Sequence, residues 1–159
     1  MDLDIDSQLK GIYILIARLV VPKEIEVGRL GIVKFSKGYY AYVGSALGGL
    51  KHRLQRHVKK EKKKRWHIDY LLEKAILEEI SYGVCESPME CQLSQYLSTS
   101  LTYIPQFGST DCMCKSHLYF DAKGEKIRRT GRDAFHSLGI EVHRISTKNL
   151  VEVSSKIIS

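Results

Sequence analysis

Gly11-Ile12-Tyr13-Ile14-Leu15-Ile16-Ala17-Arg18-Leu19-Val20 decides the reading of the chain. The stretch is short, almost wholly apolar and rich in β-branched side chains, so it predicts a mostly buried strand. Pro22 limits its continuation. Working outward, residues 24–35 alternate in part and carry Gly28 and Gly31, which predicts a second, bent strand. Ser36-Lys37-Gly38 reads as a turn and residues 39–44 as a third strand, so the opening third forms an antiparallel meander.

Helices follow. After Ser45, Leu47, Leu50 and Leu54 fall at helical spacing and predict a buried stripe, while Arg53, Arg56, His57 and Lys60 share another face. The run Lys59-Lys60-Glu61-Lys62-Lys63-Lys64-Arg65 is too densely charged to pack and reads as an exposed linker. A second helix is expected over residues 66–79 on Ile68, Leu71, Leu72, Ala75 and Ile76, and a strand over 80–85. Ser87-Pro88-Met89-Glu90 opens a third helix with Ser as N-cap, Pro at N1 and Glu at N3, running to about residue 99. A Gly- and Cys-containing loop spans 105–117. Residues 116–120 and 126–129 are expected to pair across the Ala122-Lys123-Gly124 turn. A strand from Ile140 and a further short element complete a C-terminal extension, residues 121–159, either packed on or set beside a main domain over 7–120.

The charge is informative. The formal net charge is +7 and the sequence pI is about 9.2. Such an excess suits a polyanionic partner, because each Lys or Arg contact to a phosphate releases a condensed counterion, though a basic soluble surface has the same composition. The acidic N-terminus lacks the basic region of a signal peptide, and the apolar run 12–21 is broken by Arg18 and too short to span a bilayer. A cytoplasmic protein with no membrane partner is expected. Its four cysteines, Cys85, Cys91, Cys112 and Cys114, are then thiols or metal ligands rather than disulfides.

Some residues carry chemistry. Gly11-Ile12-Tyr13 and Tyr42-Val43-Gly44 each lie inside an early strand, where a tyrosine packed on a sheet face is the plain alternative to a functional one. Arg53 and His57, one helical turn apart, can address one phosphate or form a solvated polar face. Glu90 suits a capping box, a divalent cation, or both. Cys112, Cys114 and His117 sit in one loop, with Cys91 near the start of the preceding helix. Thiolate and imidazole together suit Zn2+, and small packed thiols are the alternative. His67 and Asp69 are secondary candidates, Asp69 as a helix cap or a partner to a lysine. The basic residues Arg56, Lys60, Lys62, Lys63, Lys64 and Arg65 are the expected nucleic-acid contacts.

The order of these motifs resembles the GIY-YIG nuclease superfamily, and its Uri-like branch in particular. The resemblance covers residues 11–120 and includes Tyr42-Val43-Gly44-Ser45-Ala46-Leu47-Gly48-Gly49-Leu50, Trp66-His67-Ile68-Asp69, Glu90-Cys91 and the stretch from Phe107 to Leu118. It implies an α+β fold, a small antiparallel sheet flanked by helices. It also implies a metal-dependent endonuclease that hydrolyses phosphodiester bonds of nucleic acid, DNA in the first instance. In that pattern Tyr13 and Tyr42 lie at the active site, one as general base; Arg53 holds the scissile phosphate, His57 assists, and Glu90 binds one Mg2+ or Mn2+ ion. The alternative is a non-catalytic nucleic-acid-binding module with the same fold. Two departures stand out. The interval from Ile14 to Ala41 exceeds the family's usual gap, which an inserted strand explains. The family's Asn after the third helix is missing from 105–110, where Ser109 or Gln106 would substitute.

Overall fold

The structure is a computed structural model describing residues 2–147. Its centre is β1 (Gly11–Leu19), buried along its whole length except at half-buried Arg18. The apolar run is continuous because both faces are covered, as in any strand between two packed layers. Tyr13, Leu15, Ala17 and Leu19 face one core, and Ile12, Ile14 and Ile16 the other.

Antiparallel neighbours extend the sheet on both sides. β4 (Gly38–Ala46) and β5 (Ile76–Val84) flank β1. β7 (Leu118–Asp121) and then β6 (Thr102–Tyr103) lie beyond β4, and β8 (His143–Ser146) lies beyond β5. On one face, α1 (Leu50–Val58) and α2 (His67–Lys74) pack Leu50, Leu54, Ile68, Leu71 and Leu72 against the sheet. On the other, α3 (Glu90–Ser98) and α4 (Gly124–Ser137) contribute Leu93, Leu97, Ile127, Ala134 and Phe135. The fold is α+β, with a small antiparallel sheet flanked by helices.

The details differ from the expectation in instructive ways. Residues 24–35 are two strands, β2 (Lys23–Glu26) and β3 (Ile32–Phe35), joined by a 3-10 turn at Gly28–Leu30 into a separate hairpin. Hence no three-stranded meander forms: β4 returns directly to β1, and the hairpin is an insertion whose Ile25 and Phe35 cover the first core. Leu47 lies in the turn before α1 and is exposed. The second helix stops at Lys74, and Ile76 lies in β5, because the β-branched residues after Ala75 gain a sheet partner.

Residues 126–129 do not pair with 116–120. They belong to α4, which the spacing of Ile127, Thr130, Ala134 and Phe135 buries at helical period, while β7 pairs with β4 and β6 instead. Truncating Phe135 to Ala should cost about 3–5 kcal/mol. The core therefore does not end at residue 120. Buried Glu78 reinforces this join: it meets Arg18 of β1 at 3.0 Å and Arg128 of α4 at 3.0 Å. The strand expected from Ile140 is β8, and the short element expected after it falls outside the described residues.

Candidate functional site

Tyr13, Tyr42, Arg53 and His57 meet on the face covered by α1 and α2. Tyr13 lies opposite Gly44 in the β1–β4 register. Its ring crosses that residue so closely that a Cβ there would sit 2.4 Å from Tyr13 Cζ. The glycine of the second tripeptide is thus the seat of the tyrosine of the first. The turn after β4 feeds α1, which presents Arg53 and His57 one turn apart toward the same ring.

The Tyr13 hydroxyl is 2.8 Å from Nε2 of His57. Arg53 stands beside the phenol as a hydrogen-bond donor. It also donates to the Ser45 carbonyl at 2.9 Å and lies over the Trp66 ring, 4.5 Å from its centroid. With the Arg53 guanidinium beside its oxygen, the phenol can give its proton to Nε2, the arrangement of the Nδ1–H tautomer of His57. That Nδ1 is buried with no partner among the described residues.

Burial dominates the electrostatics. It pushes Tyr13 up to about 12, against the pull of Arg53. It drives His57 down to about 3, helped by the charge of Lys62. Tyr42 is raised further, by burial first and then by Tyr13 and Glu90. At neutral pH the centre holds neutral phenols and a neutral imidazole. The Tyr42 ring also meets Phe107 at 6.3 Å between centroids. Gly108, at φ +71°, lies against it where a Cβ would be 2.9 Å from Tyr42 Cε1. The Gly108 N–H donates to Nδ1 of His67 at 2.9 Å.

The basic residues divide sharply. Arg56 makes a two-pronged pair with the Asp69 carboxylate at 2.9 and 2.8 Å and lies over Trp66. Asp69, buried, also accepts the N–H groups of Arg65 and Trp66, so it caps α2 and pairs with an arginine rather than a lysine. Lys60 donates to the Leu72 carbonyl at 3.0 Å, and Lys64 pairs with Glu73. Lys62 is half-buried, lowered to about 8 mainly by that burial, and donates to the Arg56 and His57 carbonyls at the end of α1. Residues 59–65 are therefore not a free linker, because the last carbonyls of α1 recruit a cation. Of the six basic residues expected to contact nucleic acid, Lys63 and Arg65 are the exposed ones whose side chains make no hydrogen bond or ion pair among the described residues.

Glu90 is the first residue of α3, preceded by Met89, and no side chain caps the helix. The Ser87–Glu90 capping box expected from sequence does not form; the Ser87 carbonyl instead accepts from Cys85 Sγ at 3.4 Å. The Glu90 carboxylate makes no hydrogen bond or ion pair among the described residues. Although the body of α3 covers the far face of the sheet, Glu90 acts electrostatically on Tyr13, Tyr42 and His117.

Next to it, Cys91 meets Cys112, Cys114 and His117, with one donor atom from each within 4.8 Å of the others. Cys112 Sγ is 3.1 Å from His117 Nε2. This cluster can hold a metal ion. Three contributors were not singled out from sequence as parts of the site: Trp66, Phe107 and Gly108. A lone tryptophan directly after a basic run is the available signal for the first; Phe107 and Gly108 open the stretch to Leu118 that carries the resemblance, which is their only signal.

The fold and the site define a three-layer α+β domain with a phenol–imidazole–guanidinium cluster on one sheet face and a thiol–imidazole cluster beside it. The chain belongs to the family described as a domain of unknown function, DUF123, whose model matches residues 12–140, from β1 through all of α4. No curated protein and no solved structure matches it. Among the described residues, no helix is long and apolar enough to cross a membrane.

Proposed function

We propose that the chain is a metal-dependent hydrolase of nucleic acid phosphodiester bonds, with DNA as substrate. The observation that carries this is the buried Tyr13–His57 hydrogen bond with Arg53 beside the same phenol oxygen. The GIY-YIG resemblance of the motifs supports it. Arg53 binds the scissile phosphate and offsets charge that builds on its oxygens. Tyr13 takes a proton from the attacking water as it passes its own to His57 Nε2, so it never has to exist as the phenolate that burial disfavours. Burial disfavours the imidazolium as well, so it forms only against the charge building on the phosphate; it then releases its proton to solvent, and the leaving oxygen takes a proton from solvent.

Glu90 fits a hard cation: its carboxylate has no hydrogen-bond or ion-pair partner among the described residues, and its charge is felt at both Tyr13 and Tyr42. A Mg2+ or Mn2+ ion there would supply further neutralisation of the phosphate. In the same reading, Cys91, Cys112, Cys114 and His117 take a separate Zn2+, the ion that thiolates and an imidazole favour. Lys63 and Arg65 contact the flanking backbone.

A single observation favours the second reading, a non-catalytic binding module: burial keeps Tyr13 a phenol at neutral pH. Plasmid nicking by purified protein across Mg2+, Mn2+ and EDTA separates the two. Nicking that needs the ion and disappears in Arg53→Ala supports hydrolysis. Tight, salt-dependent DNA binding with no nicking in any metal supports the module.

A further inference from the structure

The loop 105–117 touches the reacting centre at one end and the thiol cluster at the other. Phe107 and Gly108 pack on Tyr42 and His67. The loop is closed at its base, where the His117 N–H donates to the Phe107 carbonyl at 2.8 Å and the Gln106 N–H to the Lys115 carbonyl at 2.7 Å. His117 also accepts the Val43 N–H at 2.9 Å, one residue from Tyr42. Across the cluster stands Cys91, covalently next to Glu90.

The first turn of α3 has no side-chain cap. Ser94, a turn further on, is secured by donating to the Ser116 carbonyl at 2.8 Å. Around Glu90 itself, the thiol cluster is the junction between helix and loop. Resting on the hydrolase reading and on the zinc reading of the cluster, we propose that zinc held by Cys91, Cys112, Cys114 and His117 fixes the first turn of α3 to loop 105–117. In doing so it fixes the backbone at Glu90, the residue next to Cys91.

The geometry suits the ion. A tetrahedral zinc with Zn–S of about 2.3 Å and Zn–N of about 2.0 Å holds three sulfurs and one nitrogen about 3.5–3.8 Å apart. The four donors lie within 4.8 Å, and one pair already stands at 3.1 Å. Closure therefore takes a movement on the order of an ångström. Cys112 is exposed and Cys91 and Cys114 are half-buried, which suits ligands open to an entering ion better than thiols filling a core. Because the ligands come from α3 and from the loop, the ion cross-links two elements rather than decorating one.

The test uses the full chain. Protein purified without added metal should carry close to one equivalent of zinc, and its Co2+ derivative should show thiolate-to-cobalt charge transfer that Cys91→Ser reduces and Cys85→Ser leaves unchanged. Amide exchange at residues 90–93 should be slowed about tenfold or more by zinc in the wild type, with chelation reversing the effect. Mn2+ affinity should fall about tenfold on zinc removal. Glu90→Gln should lose Mn2+ and keep zinc. Less than about a tenth of an equivalent of zinc with freely reactive thiols, or a disulfide between any two of the three cysteines, overturns the site. Bound zinc without effect on exchange at 90–93 overturns the brace. If the zinc-loaded wild type binds no Mn2+, the hydrolase reading falls, and the exchange measurement alone decides the brace.

Discussion

The Tyr13 hydroxyl and His57 Nε2 lie 2.8 Å apart, both residues almost wholly out of solvent. Tyr13 is the only hydrogen-bond partner of the His57 ring among the described residues, since His57 Nδ1 has none. Tyr13→Phe should therefore leave a buried imidazole with no acceptor bond and cost about 1–3 kcal/mol. It should also slow cleavage about 100-fold or more, the scale of a lost proton-transfer group. Tyr42→Phe removes a hydroxyl that makes no hydrogen bond among the described residues, and should cost little in melting temperature. A Tyr13→Phe variant that nicks plasmid at the wild-type rate rules out the proton relay.

Acid should unfold the protein in two separable stages. His57, ordinarily near 6.5, is held at about 3 by burial. The unfolded chain takes up this proton below about pH 6.5 and the folded chain does not. The stability tied to His57 is thus full above that pH and is lost as pH falls toward 3, at up to about 1.4 kcal/mol per unit. Burial raises Asp69, but Arg56 and the Trp66 and Arg65 N–H groups outweigh it and hold the carboxyl at about 2, below its usual 3.8. Its share is lost only between about pH 4 and 2. Urea midpoints of His57→Gln should depend less steeply on pH between 6.5 and 4, where His67 and His117, also lowered by burial, still contribute, and should keep the lower stage. An unchanged slope in that upper window shows that His57 is not the titrating group.

The legible part of the fold was the part whose sequence pattern and burial agree. β1 reads as buried because apolar residues occupy both alternations, and α1 reads from Leu50 and Leu54. α4 was missed because Gly124 looked like a hairpin turn and Lys126, Arg128 and Arg129 masked the helical spacing of Ile127, Ala134 and Phe135. The box at Ser87 failed because a good local cap lost to the tertiary position of α3. Within the site, Arg53 and His57 are readable from their spacing, and the Cys/His set from the chemistry of residues that share one loop. The internal engagement of Arg56 and Lys62 is not, because their partners Asp69 and the α1 carbonyls depend on how α2 docks.

That division of the basic residues is testable. Asp69→Ala breaks a buried pair and strips the α2 cap, so it should cost about 3–5 kcal/mol whatever the ligand. Lys63→Ala and Arg65→Ala should each change stability by less than about 0.5 kcal/mol. Each should lower the slope of log affinity against log salt by about one. Binding titrations on duplex DNA from low to physiological salt measure this. Unaltered slopes in both variants place the phosphate contacts elsewhere.

Gly44→Ala puts a methyl where the Tyr13 ring now lies, 2.4 Å from Cζ. The ring must leave or β4 must move, at about 1–3 kcal/mol. If the clash is with the ring, combining Gly44→Ala with Tyr13→Ala should cost less than the sum of the single changes, by about 1 kcal/mol or more. Strict additivity in denaturant unfolding would mean that the glycine is required for some reason other than the tyrosine.

Glu90→Gln separates charge from shape. The helix begins at Glu90 without a side-chain cap, so the substitution sacrifices no capping bond. What remains is the interaction of a carboxylate with the α3 N-terminus, about 0.3–1 kcal/mol. Melting temperature should barely move. As a cation ligand, by contrast, Glu90 depends on its charge, and an amide oxygen in the same place holds a hard divalent ion far less well. Loss of the ion removes several kcal/mol of transition-state stabilisation, so metal-dependent nicking should fall by orders of magnitude. DNA binding, carried by Arg53, Lys63 and Arg65, should persist. The measurement is nicking at limiting and at saturating Mg2+, beside thermal unfolding of the same preparations. A variant that recovers only at high Mg2+ retains a weakened site. Wild-type activity at both concentrations would falsify the role of Glu90 and favour the binding-module reading.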